Sequence, residues 1–253
     1  MGHTFRTRMD GLAIEIERVL GAAAGAVLAV AVALAVSPGA AASRLLSSEV
    51  DVVGAGTLNW SHVAVRARPS ESSRRLTVLK EFRPDFSPQY VLAVSKRVHP
   101  RTGEPTWYRI TVPGRPNGRS GWVRAAAVEV RPVQKRLVID RSARRFEFWQ
   151  GNRLLRSGKV AVGKTGAATP TGLFYVQSKF VPNAPILGAF AFETSAYSQL
   201  TDWPGGGVVG VHGTPWPWLL GQAVSHGCIR LSNDDVLWLR SRMPVGTPIK
   251  IVP

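Results

Sequence analysis

Residues 212–232 read HGTPWPWLLGQAVSHGCIRLS, and the rest of the chain is best understood outward from them. They hold Cys228, the single cysteine in 253 residues, and two of the five histidines, His212 and His226. The stretch opens where 208–212 (VVGVH) alternates as a half-buried strand ending on a histidine. It closes on Ser232, which with Asp235 makes an S-x-x-D capping box and predicts a helix over 233–243, stopped by Pro244. Asp234 and Asp235 fall in its first turn and Arg240 and Arg242 in its last, as the helix dipole favours. Further short β runs are expected at 137–140, 145–150, 153–155, 159–162, 173–176 and 247–252. A tight turn is expected at Gly151-Asn152.

One cysteine excludes an intramolecular disulfide framework and a four-cysteine zinc module. A buried small hydrophobe is the ordinary role of a free cysteine, but it does not explain the polar, turn-forming Ser225-His226-Gly227 directly before the thiol. A thiol with a reference pKa of about 8.5 becomes a nucleophile when an imidazole or oriented amides assist its deprotonation. His226 is two residues from Cys228, so both side chains point to one side of an extended segment, which is a poor span for a direct proton relay. His212 can be brought across from the thiol by folding and is taken as the base, with His226 at the turn or on the substrate.

The N-terminus is a separate segment. Residues 19–36 (VLGAAAGAVLAVAVALAV) carry no charge, follow Arg6, Arg8 and Arg18, and precede a Ser-Pro-Gly turn and Ala40-Ala41-Ala42. This is the pattern of an export signal over 1–42, with membrane anchoring through 19–36 as the rival. The chain is therefore expected to be exported, to the cell wall, the periplasm or the outer face of the cytoplasmic membrane. The formal charge of +16 lies wholly beyond this segment. Residues 43–134 carry fifteen basic against seven acidic residues, and 135–253 fourteen against six. Such a balance usually points to nucleic acid. No nucleic-acid-binding motif is visible, however, and an exported chain meets anionic envelope polymers first.

Within 43–134, period-2 runs at 62–68, 76–79, 90–94, 107–112 and 121–124 indicate a small β-barrel, followed by a short linker at 131–134. The run VAVRARPSESSRRLTVL, with WYRI and SGWVR later, resembles the bacterial SH3-like domain. Ala64, Ala67 and Arg68 depart from that family's usual Asn, Ser or Ala, and Gly. The resemblance implies either a peptidoglycan-binding module or a spacer.

Residues 135–253 closely resemble the L,D-transpeptidase catalytic domain. The matching residues are His212-Gly213-Thr214, a spacer, and Ser225-His226-Gly227-Cys228-Ile229-Arg230, with Val162-Gly163 and Thr169-Pro170-Thr171-Gly172 upstream. The expected fold is mainly β: a small SH3-like β-barrel followed by an L,D-transpeptidase-type β-sandwich with one short helix. The resemblance implies Cys228 as nucleophile, His212 as general base oriented by the Gly213 carbonyl, and an oxyanion hole at the amides of Gly227 and Cys228. Ser225, His226, Arg230 and Trp216 would contact substrate, with Arg230 on a carboxylate. It further implies peptidoglycan stem peptides as substrates, 3→3 cross-links with release of terminal D-alanine, and carbapenems as covalent inhibitors, with no cofactor or metal. The spacer of 12 residues between His212 and Ser225 is at the short end of the family range.

Other classes remain to be weighed. A zinc hydrolase could use His212, His226 and Cys228, but no Asp or Glu lies between His212 and Ser232 to act as base. In a papain-like endopeptidase the cysteine precedes its histidine, whereas here both histidines come first. An L,D-carboxypeptidase would use the same residues with water as acceptor, and a non-catalytic wall-binding protein would not need the Cys228–His212 pair. Trp216 and Trp218 could cover the substrate or pack the loop. Arg230 could instead pair with Asp234 or Asp235.

Overall fold

In the computed structural model, which describes residues 50–202 and 205–253, the period-2 runs of the first part pair as antiparallel strands. These are β1 (Gly54–Leu58), β2 (His62–Arg66), β3 (Arg75–Lys80), β4 (Tyr90–Val98), β5 (Pro105–Thr111), β6 (Ser120–Arg124) and β7 (Val128–Arg131). They form one sheet in the order β3-β2-β6-β5-β4-β1-β7. Val63, Val65, Val91, Ala93, Ile110 and Val123 are buried on its inner side. β1 and β7 were not anticipated from sequence. Gly54 and Gly56 dilute the β signal of the first, and the second is only four residues long. Residues 1–49, including the expected export segment, lie outside the described residues. Among the described residues no helix is long and apolar enough to cross a membrane.

The second part contains β8 (Lys135–Asp140), β9 (Arg145–Gln150), β10 (Arg153–Lys159), β11 (Val162–Gly163), β12 (Gly172–Phe180), β13 (Ala191–Tyr197), β14 (Val208–His212), β15 (Ala223–Ser225), β16 (Ile229–Arg230) and β17 (Pro248–Val252), with the helix α1 (Asn233–Arg240). Eight of these strands run in the order β10-β9-β8-β17-β12-β13-β14-β16, and β11 pairs with β15. β12 belongs to both halves of the sheet. Gly172–Tyr175 pair with β17, and beyond a bulge at Val176–Ser178 the strand pairs with β13. The halves enclose one core: Leu137, Ile139, Phe146 and Phe148 come from one, and Phe192, Val209, Val211 and Ile229 from the other. Val236 and Leu239 of α1 complete it.

The helix follows its capping box. Ser232 Oγ accepts from the Asp235 amide at 3.1 Å and donates to the Asp235 carboxylate at 2.6 Å. It ends at Arg240, three residues short of expectation. Pro244 disfavours helical geometry at Met243, and the chain tightens so that the Arg242 and Met243 amides both reach the Leu239 carbonyl.

Residues 132–134 are short, as a linker should be, but the two sheets are not loosely tethered. A shared cluster joins Ala55 and Leu92 of the first to Tyr175 of the second, flanked by Val52, Tyr90, Val133 and Leu173. The Tyr175 hydroxyl donates to the Tyr90 carbonyl at 2.8 Å. Tyr175 is fully buried, so its phenol has no water to turn to. Tyr175→Phe should therefore cost about 1 kcal/mol in urea denaturation, the net value of one buried hydrogen bond, since the Tyr90 carbonyl keeps the Gln89 side-chain amide at 2.8 Å.

Candidate active site

The site follows from strand register. β14 pairs in parallel with β16, with Val211 opposite Ile229 and His212 opposite Arg230. β13 pairs antiparallel to β14, with Ala191 opposite His212 and Glu193 opposite Gly210. Side chains alternate across a sheet. Val209, Val211 and Ile229 point into the core, and Glu193, Gly210, His212, Cys228 and Arg230 line the opposite face. A cavity of about 550 Å³ opens there, lined also by Ser225, His226, Leu187 and Phe180. Glu193 is its one acidic lining residue and Arg230 its one arginine.

Cys228 and His212 both lie beside Gly210. The Gly210 amide donates to Cys228 Sγ at 3.4 Å. A methyl placed on Gly210 would lie 3.6 Å from His212 Cδ2 and 3.9 Å from the sulfur. His212 Nδ1 is 2.7 Å from the Gly213 carbonyl oxygen. A carbonyl only accepts, so Nδ1 carries the proton and Nε2 is left with its lone pair. Burial pushes His212 down to about 4, opposed by the Gly213 carbonyl, reinforced by the charge of Arg230 and opposed again by the Leu187 backbone. Burial pushes the Cys228 thiol up, against the Gly210 amide and Arg230, which favour the thiolate. Both shifts favour the neutral forms, thiol and imidazole.

The turn before the thiol is built from hydroxyls and a glycine. Ser225, fully buried, donates from Oγ to the Cys228 carbonyl at 2.6 Å and accepts from the Gly227 amide at 3.2 Å. Ser225 is therefore a support of the turn, and the Gly227 amide expected in the oxyanion hole is engaged by it. Gly227 has φ +117, which disfavours any side chain, and a Cβ there would meet Ser198 Cβ at 2.7 Å. Thr169, within the Thr-Pro-Thr-Gly landmark, accepts from the Gly163 amide at 2.8 Å and donates to the Gly227 carbonyl at 2.9 Å. Neither Thr169 nor Ser198 was singled out as a site residue, because their contribution is long-range hydrogen bonding and packing rather than local pattern.

Arg230 does not pair with Asp234 or Asp235. Arg156 takes the Asp235 carboxylate at 2.6 Å. The Arg230 guanidinium lies over Trp216 at 5.8 Å, and its buried Nε has no hydrogen-bond partner. An arginine so placed suits a carboxylate ligand. Trp216 is half-buried beneath it, whereas Trp218 is exposed. His226 is half-buried on the cavity wall. Asn233, at the start of α1, accepts from the Ala189 amide at 2.9 Å through Oδ1. That oxygen fills the space where a Gly213 side chain would stand, only 2.2 Å from the Cβ position.

Among the described residues no three His, Cys, Asp or Glu side chains are grouped to hold a metal. What the face offers is a thiol, a base with a fixed tautomer, and amide donors, the components of cysteine-based acyl transfer. The family model of the YkuD L,D-transpeptidase catalytic domain matches residues 134–251. The putative L,D-transpeptidase YkuD of Bacillus licheniformis is 33% identical over 121 residues, covering 48% of this chain and 67% of that protein. L,D-transpeptidase 1 of Mycobacterium tuberculosis is 34% identical over 126 residues, 46% of this chain and 49% of its own. The match thus spans about two thirds of the first relative and half of the second. A crystal structure of an L,D-transpeptidase from Mycobacterium tuberculosis H37Rv aligns with 18% identity and a TM-score of 0.44, over 65% of this chain and 90% of that one. The chain belongs to the L,D-transpeptidase catalytic-domain (YkuD) family.

Gly213→Ala should push the new methyl into Asn233 and turn the Gly213 carbonyl away from the imidazole. Thiol acylation is expected to slow more than tenfold, as followed by intact-mass spectrometry, with a native circular dichroism spectrum. His212 also links stability to pH. Its folded value of about 4 lies below the unfolded value of about 6.5, so between these the unfolded chain binds a proton that the folded one refuses. Stability should be fully present above about pH 6.5 and fall by roughly 3 kcal/mol as pH drops to 4. His212→Gln should remove that part of the slope in denaturant titrations at pH 4.5 and 7.

Proposed function

We propose that the chain is a peptidoglycan L,D-transpeptidase in which Cys228 is the nucleophile and His212 the general base. The observation that carries this is the parallel register of β14 and β16, which sets the thiol and the imidazole on one face, with the Gly213 carbonyl fixing the proton on Nδ1. The neutral pair requires proton transfer in step with attack. His212 Nε2 takes the thiol proton as Cys228 Sγ bonds to the carbonyl carbon of the L-centre residue in a stem tetrapeptide. The Cys228 amide supports the oxyanion. The Gly227 amide joins it by giving up its 3.2 Å bond to Ser225. One such donor contributes about 2.7–4 kcal/mol to the transition state. The tetrahedral intermediate expels D-alanine as its carbon–nitrogen bond breaks, and His212 returns the proton to that amine. The Gly210 amide offsets charge on sulfur throughout.

The thioester then meets an amine from a neighbouring stem. The amine attacks, an amide forms, the carbon–sulfur bond breaks, and His212 relays the amine's proton to the thiolate. Arg230, unpaired at Nε and beside the thiol, receives a substrate carboxylate. Trp216 holds the guanidinium from the other side. Stem peptides carry several carboxylates, in keeping with a charge of +16. The first sheet is proposed as an SH3-like domain, the chain as exported, and carbapenems as acylators of Cys228.

Incubation with a disaccharide-tetrapeptide should yield a cross-linked dimer, read by mass spectrometry. Tripeptide without dimer would instead assign a carboxypeptidase. Cys228→Ala should abolish both products, and meropenem should add its mass to the wild-type chain but not to that variant.

A further inference from the structure

We infer that the first sheet is part of the catalytic apparatus, with Arg115 and Asn117 as positioning residues that hold the wall behind the Cys228 turn. Both stand in the loop between β5 and β6, some eighty residues from their partners. The Asn117 side chain forms a reciprocal pair with the backbone of Tyr197, Nδ2 donating to its carbonyl at 2.7 Å and Oδ1 accepting from its amide at 3.0 Å. A side-chain amide here imitates a strand neighbour at the end of β13. The Arg115 guanidinium donates to three carbonyls: Ser198, Leu200 at 2.9 Å and Gly206 at 3.0 Å. It also lies over the Tyr197 ring at 5.1 Å. No carboxylate takes part, so the planar fork serves as a template for three backbone acceptors that would otherwise turn to water.

What Arg115 and Asn117 hold bears directly on the thiol. Ser198 occupies the space beside Gly227, whose missing side chain makes room for it. Ser225 in turn holds the Gly227 amide and the Cys228 carbonyl, so the backbone of this turn carries the thiol. The same strand is gripped farther along by the first sheet. Arg83 donates to the Glu193 carboxylate at 2.5 Å, and Ser178 donates to its other oxygen at 2.7 Å. β13 is therefore held from the first sheet at Glu193 and at Tyr197, and its register with β14 places Gly210 and His212. The first sheet thus fixes both the strand that aligns the base and the segment that backs the nucleophile.

The inference rests on Cys228 as the nucleophile, and the test keeps the two claims separate. In the full chain, Arg115→Ala and Asn117→Ala should each slow acylation by meropenem at least tenfold. For tetrapeptide turnover they should lower kcat while KM changes less than threefold. Alkylation of Cys228 by iodoacetamide should change in rate and in pH midpoint, a measurement that needs no turnover and reads the clamp even if no peptide is cross-linked. Millimolar methylguanidinium should restore at least part of the Arg115→Ala loss, and methylamine should not. Arg66→Ala, which disturbs a salt bridge confined to the first sheet, should leave every rate within twofold. If Asn117→Ala and a folded Arg115→Ala react at wild-type rates, or if methylguanidinium restores nothing, the positioning role is overturned.

Discussion

Two parallel residue pairs, Val211 with Ile229 and His212 with Arg230, constrain more of this molecule than any other contact. Because side chains alternate, one register assigns Val209, Val211 and Ile229 to the core and His212, Cys228 and Arg230 to the cavity. A slip of β16 by one residue would bury Arg230 and expose Ile229. The apolar core therefore sets which face of these strands carries His212, Cys228 and Arg230. Core and chemistry are the two faces of the same three strands.

Around that register the remaining parts remove freedom in turn. The Gly213 carbonyl selects the tautomer of His212, and Asn233 Oδ1, held by the Ala189 amide, fills the space a side chain at Gly213 would need. Thr169 and Ser225 hold the ends of a turn that a positive φ at Gly227 makes possible. Burial favours the neutral forms of Cys228 and His212.

The joint between the sheets modifies a simple picture of a targeting module on a linker. The shared cluster around Tyr175 and the Arg83, Arg115 and Asn117 contacts all converge on β12, β13 and the segment after them. A partner bound by the first sheet would act on strands that align His212. Domain recognition by strand pattern does not capture this, because loop residues such as Arg115 and Asn117 carry no periodic signal.

The local sequence determined the elements with a strong pattern. VVGVH gave a strand of the expected bounds, the S-x-x-D box opened the helix at Asn233, and the family motif drew attention to Cys228, His212 and Gly213. Less regular segments escaped it. β13 mixes Glu193, Thr194 and Ser195 among apolar residues, and β1 is diluted by glycines. Tertiary structure alone decided that Asp235 pairs with Arg156 and leaves Arg230 to the cavity, and that Thr169, Ser198 and Arg115 back the turn before Cys228. The physical reason is range. Period, capping and turn chemistry act within a few residues and are written in local order, whereas hydrogen bonds between residues 58 to 91 positions apart exist only once the sheets have closed.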